Sequence, residues 1–400
     1  MLRAGDWKLS EIKTMQATDG WLGLEGVRAA REAGREFVRH TPVLSSQSLS
    51  ELEGGEIHLK AENLQRTGSF KLRGVLARLA GDLPKAGVTA GSAGNHAQAL
   101  AYAARAKGVP CQVFMPAGAA VAKVAAVQSF GGKVVLGGDA VDSCVKEAKA
   151  FAKDTGALFV HPYDDPLVIA GQGTLGLELL EDVPDLATVV VPIGGGGLIS
   201  GVAGVIKGAH PKVRIIGIQA LSPIADGIAV KHPGELDQVL IDRWVDELFS
   251  VKDDDIAEAM VLLAERAKLV VEGAGAAGVA ALLSGQIKPA KKGATVFVLS
   301  GGNVDSGMLA SITSRHEATA GRRLRLFAKV PDRPGGLAEL LNSVAETGAN
   351  IGHVEHIRES ADLGVRETGV LLALETRGED HSKEIVAAVR KAGYDSHVED

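Results

Sequence analysis

Four short stretches combine residue types and spacings that can do chemistry. The β-branched run Thr188–Ile193 leads directly into Gly194, Gly195, Gly196, Gly197 and Leu198, and then into a helical stretch. Four consecutive glycines leave bare amides at a helix N-terminus, where the positive end of the helix dipole also points, so a phosphate monoester would be held there. A plain tight turn is the competing reading, but it seldom needs four glycines. The run Thr67-Gly68-Ser69-Phe70-Lys71-Leu72-Arg73-Gly74 opens a second helix, with Ser69 in the N-cap position and Lys71 and Arg73 in the first turn. Each cation there opposes the dipole by about 0.3–1 kcal/mol. The same field lowers the lysine pKa, as an amine that attacks a carbonyl requires. Taken alone, a solvated surface lysine explains the position as well. Gly91-Ser92-Ala93-Gly94-Asn95-His96 joins a strand to a helix and offers free amides to an anion such as a carboxylate. The strand Thr295–Leu299 ends in Ser300-Gly301-Gly302-Asn303, which sets a hydroxyl at the carboxyl end of a parallel strand, where open α/β sheets bind ligands.

The elements that must position these stretches follow from periodicity. From about residue 40, short β-branched runs alternate with alanine-rich helical stretches, the pattern of parallel strands joined by helical crossovers, so the fold class is α/β. Strands near Val88–Ser92, Cys111–Met115, Lys133–Leu136 and Leu158–His161 would form a small lobe, about residues 87–164. Strands near Thr188–Ile193, Val213–Gln219, Glu247–Val251 and Thr295–Ser300 would form a larger sheet, with a long helix near Asp254–Leu269. Residues 1–21 show no sustained period and read as a tail. From Arg322 the order becomes β-α-β-β-α-β, which predicts a ferredoxin-like α+β domain over 322–400 after a linker at Ser314–Arg323.

Composition removes several function classes. The net charge of -6 carries no basic block, and aromatics are 4%, against a nucleic-acid surface built on stacking. No apolar run reaches the roughly 20 residues that span a bilayer. Arg3, Asp6 and Lys8 interrupt any leader-like stretch, so neither membrane nor export is expected and the location is read as cytoplasmic. Cys111 and Cys144 lack a CxxC partner and read as core residues. His353 and His356 fall on opposite faces of a predicted strand, so no metal site is expected. Gly171-Gln172-Gly173-Thr174-Leu175-Gly176 matches GxGxxG but falls within a helix, away from a strand end, and is set aside. The 50 glycines fit loops that approach a small ligand closely.

Together, the SFKLRG, SAGNH, GGGGL and SGGN stretches resemble the fold-type-II pyridoxal-phosphate enzymes in order and spacing. Over residues 22–318 the chain is most similar to the threonine dehydratase (threonine ammonia-lyase) family. Ala61–Gln65, Ala170–Thr174 and Val271–Ala276 share the likeness. Asp332-Arg333-Pro334-Gly335 and Gly348-Ala349-Asn350-Ile351 resemble an ACT domain, a module that senses amino acids. The resemblance implies a two-lobed catalytic domain of tryptophan-synthase-β type with parallel sheets, and pyridoxal 5′-phosphate as cofactor. Lys71 would bond to the cofactor's aldehyde and, once released, take the substrate Cα proton. Phe70 would flank the ring, and Asn95 would meet its 3′-oxygen. The amides of Ser92, Ala93, Gly94 and Asn95 would hold the substrate carboxylate. Gly194, Gly195, Gly196, Gly197 and Leu198 would hold the phosphate, and Ser300 would face the pyridine nitrogen. A neutral hydroxyl there makes a weaker electron sink, which suits prompt β-elimination of L-threonine, and also of L-serine, to a 2-oxo acid and ammonia. Asp332, Gly335, Asn350 and Ile351 would meet an isoleucine or valine effector, between two turns expected at one end of one sheet. A homo-oligomer, dimer or tetramer, is implied.

The chain departs from the family pattern in identifiable places. The connection from Gln219 to Ala225-Asp226-Gly227 is much shorter than usual. Gln219 stands where relatives with a divalent cation carry an acid. Ala93 stands where serine racemases place a serine, which argues against racemisation. Tyr163 replaces a polar residue near the cofactor and is left off the site. The rival readings are a serine dehydratase or racemase of the same fold and, more distantly, a non-catalytic amino-acid sensor.

Overall fold

The computed structural model describes residues 23–220, 223–230, 232–358 and 363–399. The expected tail, 1–21, lies outside the described residues. The chain divides into two compact units, Met1–Asp305 and Ser306–Asp400, so the helix Ser306–Thr319 groups with the second unit.

The first unit is built on two sheets. The larger has six strands in the order Val43–Ser45, Glu56–Ala61, Ala294–Leu299, Leu186–Pro192, Arg214–Gln219 and Glu247–Ser250. The smaller has the order Lys133–Leu136, Cys111–Met115, Val88–Gly91 and Leu158–Phe159, and all its pairings are parallel. The expectation of purely parallel sheets holds for this lobe and fails at one edge of the larger. There Val43–Ser45 runs antiparallel to Glu56–Ala61, since the chain returns over a short helix, Gln47–Glu53, too short for a parallel crossover. The predicted helix to Leu269 keeps α geometry only through Leu262. A π turn follows at Leu263–Ala267, and Lys268 leaves it at φ 61°. Cys111 and Cys144 are both free and buried, in separate core clusters of the small lobe.

The GxGxxG stretch lies inside the helix Pro166–Asp182, which Asp165 caps by accepting from the amides of Leu167 and Val168. Its glycines serve packing. A methyl on Gly171 would lie 2.5 Å from the Arg73 carbonyl, and one on Gly173 3.1 Å from the Gly201 carbonyl. Three helices, Lys71–Arg78, Pro166–Asp182 and Gly197–Ala209, thereby pack against one another nearly backbone to backbone.

The second unit shows the expected β-α-β-β-α-β order: Arg323–Pro331, Gly336–Ala345, Asn350–Ile357, Glu367–Glu375, Glu379–Lys391 and Ser396–Val398. Its sheet is antiparallel, in the order Asn350–Ile357, Glu367–Glu375, Arg323–Pro331, Ser396–Val398. Alternate residues Leu324, Leu326, Ala328 and Val330 face a core closed by Leu340, Val344, Ile385 and Val389 of the two helices. One expectation fails here. Pro331, before the first turn, pairs with Glu367, whereas Asn350, after the second, pairs with Glu375. The two turns therefore sit at opposite ends of a nine-residue strand, about 26 Å apart. The intervening helix runs back along the sheet and carries the chain to its other end.

Candidate active site

Lys71 is the first residue of the helix Lys71–Arg78, and the preceding loop is fastened to the end of the strand Ala294–Leu299. The Phe70 amide donates to the Ser300 carbonyl (3.0 Å) and the Gly302 amide to that of Gly68 (2.9 Å), while Ser69 bridges Gly301. This zipper explains why Ser69 is not the N-cap that its type predicts. Phe70 takes that position, and the Ser69 hydroxyl is buried without a partner. It also sets Lys71 beside Ser300, which is 2% exposed.

The Lys71 amine donates to the Pro162 carbonyl at 2.9 Å and lies 5.0 Å from the centre of the Phe70 ring. Burial pulls its pKa down to about 8, opposed by the nearby Asp237 and Glu272 carboxyls. The cause is desolvation, where the sequence suggested the helix-end field. The other first-turn cation, Arg73, has no part in this chemistry. It is 1% exposed and grips Glu62 and Glu178 with both edges of its guanidinium.

Gly194–Leu198 crosses from strand to helix as expected, with Gly196 at φ 104° as the N-cap. None of the amides of Gly194, Gly195, Gly196, Gly197 and Leu198 donates a hydrogen bond among the described residues. The absence of side chains has a structural reason at each step. A methyl on Gly195 would overlap the Tyr163 ring (2.1 Å), and one on Gly196 would strike the Asp237 side chain (2.5 Å). Asp237 is fully buried, and neither carboxylate oxygen has a partner. Burial pushes it up to about 8, with Asp164 adding to the shift while Ser200 and Lys71 oppose it.

In the SAGNH loop the Ala93 and Asn95 amides are likewise free among the described residues, while the Gly94 amide turns back to the Ser92 hydroxyl (3.3 Å). The Ser92 amide is committed to the Phe114 carbonyl (3.0 Å), so it cannot serve the carboxylate as the sequence reading had it. Asn95 donates to Glu272 Oε1 and accepts from Asn303 Nδ2, both at 2.7 Å, which leaves one amide hydrogen for a ligand. Burial pushes the Glu272 carboxyl up to about 7. His96 gives its Nε2 hydrogen to the Val160 carbonyl (3.0 Å), and burial pulls its pKa down to about 3, so it stays neutral.

Lys71, Phe70, Asn95 and Ser300 thus gather around the glycine loop. Tyr163, Asp237, Glu272 and Asn303 join them and were missed. Glu272 lies in a quoted family-like stretch and could have been taken from it. Asp237 carries no local signal, because only tertiary packing puts it on Gly196. In the second unit, Asp332 pairs with Arg358 and Asn350 donates to Glu375 (2.9 Å), while Gly335 caps a helix at φ 89° and Ile351 packs on the core. These four residues do not come together.

The donor set fits pyridoxal phosphate. Bare amides suit its phosphate, a deprotonable amine its aldehyde, a hydroxyl its pyridine nitrogen, and buried polar atoms lack protein partners. Comparison with known proteins agrees. A family described as "Pyridoxal-phosphate dependent enzyme" matches residues 35–301. L-threonine ammonia-lyase of Thermotoga maritima is 43% identical over 94% of this chain and 99% of its own. That of Geobacter sulfurreducens is 44% identical over 92% and 97%. Among solved structures, a threonine deaminase from the source abbreviated T.th. is 37% identical with a TM-score of 0.67, covering 71% of this chain and 99% of its own. Maize serine racemase is 34% identical with a TM-score of 0.69, covering 74% and 98%. The chain therefore belongs to the pyridoxal-phosphate dependent enzyme family, and its cofactor is pyridoxal 5′-phosphate.

Proposed function

We propose that this enzyme is an L-threonine ammonia-lyase, converting L-threonine to 2-oxobutanoate and ammonia. The observation that carries the reading is a buried amine, Lys71, with its pKa lowered to about 8, set between a bare-amide glycine loop and the Ser300 hydroxyl. Bound pyridoxal phosphate supplies the electron sink that lets a Cα proton leave. The neutral Lys71 amine would take that proton at Nζ, held in place through the Pro162 carbonyl. The free amides of Ala93 and Asn95 would hold the substrate carboxylate, and the remaining hydrogen of Asn95 would serve the 3′-oxygen. Gly194–Leu198 would cradle the phosphate, with Tyr163 walling the loop from water. Loss of the β-hydroxyl as water leaves an enamine, which takes up water and releases ammonia.

A serine racemase is the second reading, supported by the maize neighbour. Ala93 opposes it, because a methyl group cannot exchange a proton at the opposite substrate face. Parallel assays of 2-oxo-acid release from threonine and serine, with D-serine measured alongside, separate the two. Threonine turnover without appreciable D-serine is expected, and rapid D-serine formation would overturn the assignment.

The second unit would be an ACT module that modulates turnover in response to isoleucine or valine. Its βαββαβ order supports this, as does the 94% coverage of this chain by the match to the Thermotoga maritima enzyme, which exceeds what the first 305 residues can supply.

A further inference from the structure

We infer that Asp237 is a cofactor-holding residue whose carboxyl keeps its proton and donates it as a hydrogen bond to the ester phosphate at Gly194–Leu198. The inference rests on that loop being the phosphate site. Both carboxyl oxygens are buried and have no partner among the described residues, although buried polar groups are almost always paired. A partner that arrives with the cofactor resolves this. The side chain lies directly on the loop, since a methyl at Gly196 would fall 2.5 Å from its Cβ and 3.1 Å from its Cγ. Its helix, Glu235–Trp244, is fastened there by the Gly234 amide, which donates to the Gly195 carbonyl at 2.9 Å.

The surrounding charges decide which form is held. Asp164 lies nearby, with its Oδ1 accepting the Leu236 amide, and Tyr163 lines the same loop. Lys71 faces Asp237 from the helix Lys71–Arg78, and the Ser200 hydroxyl donates to the Asp237 carbonyl (3.4 Å) from Gly197–Ala209. Glu235, on the same helix, adds a further negative charge. Acids thus outnumber the single cation. A carboxylate beside a phosphate that carries nearly two negative charges would be repelled, whereas a carboxylic acid contributes an O–H donor that the amides complement. Burial already favours that form, with a pKa near 8 before any phosphate is present.

The phosphorus-31 resonance of the holoenzyme tests this directly. In wild type it should shift in a step at or above about pH 8, as the shared proton leaves. In Asp237→Asn, which keeps a donor but cannot ionise, the step should vanish. A step that persists in the variant, or a flat wild-type profile, overturns the proposal. Affinities for pyridoxal phosphate and for pyridoxal supply the second arm. Lys71 titrates in the same range, so the comparison between proteins is the readout. At pH 9.5 the variant should bind pyridoxal phosphate about tenfold more tightly than wild type, because wild type must first take up a proton. Pyridoxal should not distinguish them. If pyridoxal binds wild type as well as pyridoxal phosphate does, the glycine loop is not the phosphate site. If the ester matters but the two proteins agree at every pH, only the role of Asp237 falls. Should the variant not fold, proton uptake by wild type at pH 8.5, compared between two buffers, decides. Uptake should accompany pyridoxal phosphate and not pyridoxal, and equal uptake overturns the proposal.

Discussion

Lys71 shows how a residue can be legible while its physics is not. Its place in the first turn could be read from Thr67–Gly74, but the dominant cause of its lowered pKa is burial under a second lobe, which no local spacing encodes. Because the shifted pKa lies near 8, the unprotonated amine that attacks an aldehyde grows in fraction up to about that pH. Reloading of cofactor-free protein with pyridoxal phosphate should therefore quicken about tenfold per pH unit between 6 and 7.5 and level off above 8. Visible absorbance after mixing measures this, and a rate that keeps climbing to pH 10 would assign Lys71 an ordinary pKa. Lys71→Ala should abolish both the absorbance and turnover. Ser300 gives a second prediction at this scale. Ser300→Asp puts a carboxylate against the pyridine nitrogen, keeps it protonated and lengthens the life of the deprotonated substrate. Product analysis should then show racemisation rising relative to 2-oxo-acid release, and an unchanged ratio would remove Ser300 from the site.

Among the elements, the crossover units of both lobes and the βαββαβ order of 322–400 were readable because their periods are local. The strands Val43–Ser45 and Glu56–Ala61 were not. Glu56-Ile57-His58-Leu59-Lys60-Ala61 alternates like an exposed edge, yet Lys60 is fully buried, with its amine 2.7 Å from both Glu178 and the Thr41 carbonyl. Its partner lies 118 positions away, a distance over which pattern carries no information. Arg73, Glu62, Glu178, Lys60 and Thr41 form one buried network that locks this strand and the helix Lys71–Arg78 to the helix Pro166–Asp182. Arg73→Ala leaves Glu62 without its cation and Glu178 with Lys60 alone, and should destabilise the first unit by about 3–5 kcal/mol. Arg73→Lys should recover only part of that, because an ammonium cannot grip two carboxylates edge-on. Trp7, Trp21 and Trp244 all precede residue 306, so fluorescence-detected urea unfolding follows this unit alone. A loss below about 1 kcal/mol for Arg73→Ala would mean that the network is relaxed by water.

At the scale of the whole molecule, the question is what the second unit adds to the first. The 307-residue match to L-threonine dehydratase catabolic TdcB of Escherichia coli K12 covers 71% of this chain and 93% of that enzyme, which associates the reaction with the first unit's length and leaves the second for control. The geometry narrows how control could work. The turns at Asp332–Gly336 and Gly348–Ile351 lie at opposite ends of one sheet, so no small amino acid can touch both within one copy. An effector that needs both turns would have to bridge copies of the chain, and its binding would then strengthen association. For control it must favour one state of the protein, with a coupling of about 1–3 kcal/mol, a 5- to 150-fold change in affinity. Isoleucine titrated into full-length protein should therefore change threonine turnover, with valine opposing it, and the mass seen by sedimentation should hold or rise as isoleucine binds. A chain ending at Asp305 should turn over threonine and ignore both amino acids. If the shortened chain responds as the full-length chain does, or if neither amino acid binds the full-length chain, the second unit has no sensing role and its sheet serves assembly alone.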